Sequence, residues 1–95
     1  MPEMRFHVLW PDGSRARCYS PSLVVKDHLA AGSRYPLADF VHRARAALTV
    51  ASARVEARYG HPCSLALGQI RAIEAAAARQ PADPAATVLV EAFEE

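Results

Sequence analysis

The triplet Pro11-Asp12-Gly13 sits between two stretches that alternate apolar and polar residues, and no other feature constrains the fold of this chain as tightly. Before the triplet, Met4, Phe6, Val8 and Trp10 alternate with Arg5, His7 and Leu9, the period-two signature of a strand with one buried face. Pro11 presets φ for a turn, and Gly13 supplies the left-handed residue that a three-residue hairpin loop with a bulge requires. That loop fixes the register: Trp10 faces Ser14, Val8 faces Ala16, Phe6 faces Cys18 and Met4 faces Ser20. These eight side chains share one face. Arg5, His7, Arg15, Arg17 and Tyr19 fall on the other.

Downstream the period changes to that of helices. Ser20-Pro21 reads as a cap followed by proline at a first helical position, which predicts a short helix over residues 21–30, stopped by Gly32. Pro36 and Gly60 bracket a long helix, with Asp39 in its first turn and Arg58 in its last. At about 100° per residue, Leu37, Phe40, Val41, Ala44, Leu48, Ala51, Val55 and Tyr59 form one stripe. The opposite face carries Ala46, Thr49, Val50, Ala53 and Ala57 where a solvated helix would carry charge. Small residues there admit a second element, so cover on both sides is expected. Another helix follows between Pro62 and Gln80, with Ala66, Leu67, Ile70, Ile73 and Ala77 as its stripe and Glu74 either at its rim or paired with an arginine. After a linker at residues 81–84, Thr87 to Phe93 reads as a strand apolar on both faces, added to the hairpin.

The fold class expected is therefore α+β: the N-terminal hairpin plus the C-terminal strand in a small, mostly antiparallel sheet, packed on one face by a long helix and one or two shorter ones. Ninety-five residues make one domain, residues 1–95, with a modest core. Twenty of the residues are alanine, which bury little area each, and cores of that kind are often completed by a second subunit. No apolar run reaches the ~20 residues needed to cross a bilayer. The N-terminus enters a strand directly and two cysteines make no disulfide framework, so a cytoplasmic setting is expected and no membrane partner. The net charge of +1 conceals a basic body, residues 1–80, and an acidic end, residues 81–95.

Chemical signals are sparse. Cys63 stands at a helix start beside His61, an arrangement that can activate a thiol, so these two and Tyr19 form the candidate site of an enzyme or small-molecule binder. A packing role at the helix start explains Cys63 as well, and Cys18 reads as a small buried hydrophobe. His7, His28, His42 and His61 form no ligand pair, and no phosphate loop, nucleophile elbow or paired carboxylates occur, so no catalytic residue, metal or cofactor is assigned. The face with Arg5, His7, Arg15, Arg17 and Tyr19 could contact RNA or an acidic partner, although a solvated strand face normally carries such charges. With a near-neutral chain and a single lysine, nucleic acid is not the expected partner. The Ala46/Thr49/Val50/Ala53/Ala57 face points either to a neighbouring helix of the same chain or to a homo-oligomer or a protein partner.

The segments Met-Pro-Glu-Met-x-Phe-x-Val-x-Trp-Pro-Asp-Gly (1–13), Cys-Tyr-Ser-Pro-Ser (18–22), Tyr-Pro-Leu-Ala-Asp-Phe (35–40) and Ala-Ser-Ala-Arg-Val-Glu-Ala-Arg-Tyr-Gly (51–60), with Cys63-Ser64 after them, resemble a small bacterial family of nitrogen-starvation response proteins named after a mycobacterial member. The resemblance runs from the first residue to about Ala78, and His61-Pro62 departs from the hydrophobic-small pair expected there. It implies a setting: genes clustered with a nitrilase, a radical-SAM-type protein, an acetyltransferase-like protein and a flavin monooxygenase, serving the use of nitriles or cyanide as nitrogen. A cluster-encoded enzyme is the partner it implies, and it carries over no catalytic residues.

Overall fold

A computed structural model describes residues 2–95. The hairpin forms in the register that its turn dictates: β1 (Met4–Leu9) and β2 (Arg15–Ser20) pair Met4 with Ser20, Phe6 with Cys18 and Val8 with Ala16. Gly13 has φ +89°, and the turn closes with the Trp10 N–H donating to the Ser14 carbonyl at 2.8 Å. β4 (Thr87–Glu94) lies antiparallel along the other side of β1, and a short strand, β3 (Arg34–Pro36), pairs with β4. The four strands run in the order β2-β1-β4-β3. The sheet is thus one strand larger than the sequence predicts, because three residues with no alternation to read form β3.

The segment expected to be a helix over residues 21–30 is a 3-10 helix of five residues, Leu23–Asp27. Ser22, not Ser20, caps it, accepting from the Val24 N–H at 3.3 Å, while the buried Ser20 hydroxyl donates to the Ser22 carbonyl at 2.7 Å. Val24 and Val25 are β-branched and both buried, which favours anchoring over helix extension. Gly32, predicted as a helix stop, instead turns the chain into β3 and donates its N–H to the Val90 carbonyl at 2.7 Å.

α1 (Leu37–Tyr59) begins after Pro36 and ends at Gly60, whose φ of +86° is the left-handed stop that glycine adopts without strain. α2 (Ser64–Ala78) returns beside it. The core joins Met4, Phe6, Val8 and Trp10 of the hairpin, Val88 and Val90 of β4, and Phe40, Ala44, Ala47 and Leu48 of α1. Trp10 and Phe40 meet edge to face, ring centroids 5.5 Å apart. Three positions depart from the predicted stripe of α1: Ala47 and Ser52 are buried, and Tyr59 stands 56% exposed at the end of the helix.

β4 carries a bulge. His7 pairs with Ala92 but Val8 with Val90, so Glu91 is the extra residue. Strict alternation would send Phe93 outward and Glu94 into the core. The bulge reverses this, setting Phe93 against the core and Glu94 on the outer face. It accounts for a strand that reads as apolar on both sides.

Candidate functional site

Three surfaces were predicted to carry function, and the fold treats them differently. The basic outer face of the hairpin is assembled, with Arg5 stacked over the Tyr19 ring at 4.9 Å. Most of its bases are already partnered. Arg15 Nε lies 3.1 Å from Glu91, Arg17 lies 2.7 Å and His7 Nε2 3.0 Å from Glu94, and Arg5 lies 3.5 Å from Glu3. Lys26 meets Glu95 at 2.9 Å in the same manner. The acidic end of the sequence is therefore folded onto its basic beginning. Arg17 foremost, and then His7, hold the Glu94 carboxyl below its ordinary range.

The Cys63 group is only partly brought together. Cys63 occupies the position before α2, and its backbone N–H donates to the buried Ser52 Oγ at 3.2 Å. Tyr19 lies near enough for Cys63 and Glu3 to add to the effect of burial, all three pushing its phenol upward. His61 is exposed, with Nδ1 3.4 Å from the Pro62 carbonyl. The five principal surface grooves are lined by other residues than Cys63, His61 and Tyr19. Burial pushes the Cys18 thiol up to about 12, which keeps it protonated and unreactive. Among the described residues no three His, Cys, Asp or Glu side chains converge as metal ligands would. No helix there is long and apolar enough to cross a membrane.

The small-residue face of α1 is bare. Thr49, Val50, Ala53 and Ala57 are exposed and Ala46 is half-buried, so the expected cover on both sides is not supplied by the described residues. α2 packs on the flank instead, where Arg45 of α1 pairs with Glu74 of α2. Beyond Ala57 the bare face runs into a shallow groove lined by Pro2, Leu23, Arg54 and Arg58.

Sequence reasoning overlooked two glutamines, Gln69 within α2 and Gln80 two residues past its end. Gln69 Oε1 accepts from the Tyr19 N–H at 3.0 Å, and Gln80 Oε1 accepts from the Asp12 N–H at 3.1 Å. Gln80 lies outside the helix, next to Pro81, and no period in the sequence places it.

A family model described as nitrogen starvation-induced protein NitG matches residues 5–93. No curated protein and no solved structure matches the chain.

Proposed function

The chain belongs to the family of nitrogen starvation-induced protein NitG, and from that premise we propose that it acts by association rather than catalysis, as a cytoplasmic homodimer joined through the bare face of α1. The supporting observation is that Thr49, Val50, Ala53 and Ala57 leave more than two helical turns exposed and without charge. Helix faces that meet water ordinarily carry polar or charged residues. Small side chains let a second helix approach to about 8–10 Å between axes. Two copies crossing about a two-fold axis would bury the same patch on each. The use of nitriles or cyanide is the proposed setting, and an enzyme encoded beside this protein is the alternative occupant of the same face. The pairing of the outer-face bases with Glu91 and Glu94 speaks against RNA as the partner.

Sedimentation velocity tests this reading. The expected result is a two-chain mass for the wild type and a one-chain mass for Val50→Glu and Ala53→Glu, with the circular dichroism of the folded chain retained because both positions are exposed in the single chain. A wild type that stays monomeric at high micromolar concentration removes self-association. A dimer that survives both substitutions moves it to another face.

A further inference from the structure

We infer that the free edge of β2, together with the adjoining flank of α2, is a docking groove for an extended peptide segment bearing acidic residues. β2 is an outer strand of the sheet. Because the Trp10 N–H donates to the Ser14 carbonyl across the turn, the pairs two and four residues further on, Val8–Ala16 and Phe6–Cys18, are the hydrogen-bonded ones. The N–H and C=O groups of Arg15, Arg17 and Tyr19 must then point away from β1. The Tyr19 N–H does, since it donates to Gln69. Those of Arg15 and Arg17 have no partner among the described residues. They are the ladder positions that an added strand would use.

The groove beside this edge is built by α2. Gln69 pins the helix at the Tyr19 end and Gln80, just past the helix end, pins the chain at the hairpin turn, with about 14 Å of helix from Gln69 to Ala78. Between the pins Ala72 and Ala76 flank the edge where longer side chains would block it, leaving a groove of about 320 Å³ with Cys18 and Ile73 in its lining. Leu65, one turn before Gln69 on the same flank, is 65% exposed and continues the apolar surface. The length matches an extended segment of about four or five residues.

Charge selects the occupant. Arg79 lines the groove with no carboxylate partner among the described residues, while Arg15, which also lines it, is paired with Glu91. Asp12, the acid in the lining, is held by Ser14 and Gln80. A second copy pairing its own β2 here would bring a strand, Arg15–Ser20, that has no acid to offer Arg79. A strand with acids on its outer face and small apolar residues toward α2 meets both requirements.

The probe is acetyl-Val-Glu-Ala-Glu-Val-amide, titrated into 15N-labelled protein, with the lysine counterpart as control. The expected result is a shift of the Arg15 and Arg17 amides and about tenfold slower hydrogen exchange at both, with the glutamate peptide bound more tightly than the lysine one. Arg17→Pro should abolish the effect while keeping the sheet, because that N–H makes no bond to β1 and edge strands accept proline. If that variant does not fold, Ala72→Glu at an exposed helix position provides the same test and should weaken the glutamate peptide. Amides unmoved by millimolar peptide, or binding indifferent to these substitutions or to the sign of the peptide's charge, would overturn the inference. So would Arg15 and Arg17 amides protected in concentrated free protein and released on dilution, which would mean pairing between copies. Peptide binding that persists in Val50→Glu separates this groove from the α1 face.

Discussion

Glu94 illustrates how much one side chain does in this protein. It accepts from Arg17 and contacts His7 at the same time, so the carboxylate is favoured in the folded state. A carboxyl held low on folding contributes stability above its ordinary range, and that contribution is lost as pH falls through the folded value. Titration followed by side-chain carboxyl NMR should place Glu94 below the ordinary 4.5, and Arg17→Ala should raise it toward that figure. An unmoved midpoint would mean that the pair does not persist in solution. Asp12 is lowered for a local reason, chiefly the hydroxyl of Ser14 and then its N–H. Of the two, only the Asp12 contact is visible in the sequence, as a turn residue two positions from its partner. The Glu94 contact spans 77 residues and needs the bulge of β4 to exist.

At the level of elements, the connection between the two helices depends on one buried hydroxyl. No side chain caps α2, and Cys63, which precedes it, gives its N–H to Ser52 of α1. Ser52→Ala should cost about 1 kcal/mol, read as a lower urea midpoint at unchanged slope, because a partly buried N–H loses its acceptor. A variant as stable as the wild type would show that water replaces the hydroxyl. α1 itself was legible from end to end, since proline, glycine and the 3.6-residue period all agree over 23 residues. The 3-10 helix was not, because Ser20-Pro21 and Ser22 offer competing caps and only the burial of Val24 and Val25 decides between them. β3 has no period of its own and exists because β4 offers it an edge.

Across the whole molecule, the last strand in sequence sits inside the sheet. β4 separates β1 from β3, contributes Val88 and Val90 to the core, and brings the acids that neutralise the hairpin. A chain ending at Ala86 should therefore show no cooperative unfolding transition by circular dichroism, although it keeps the hairpin and both helices. A cooperative melt from that fragment would show that the hairpin and helices suffice as a nucleus. Closing this fold requires the two ends of the chain to meet, and a small alanine-rich core leaves little margin for their failure.

The sequence by itself determined the hairpin and its register, the limits of α1 and α2, and the class of the fold. Each of those follows from local rules: turn chemistry that admits one backbone geometry, and side-chain periods that admit one buried face. Tertiary structure alone decided that the charges of the two ends pair, that the small-residue face of α1 stays uncovered by the described residues, and that α2 flanks the open edge of β2. Those outcomes depend on which residues distant in sequence become neighbours. A single bulge at Glu91 exchanges the faces of Phe93 and Glu94, and no local pattern encodes it.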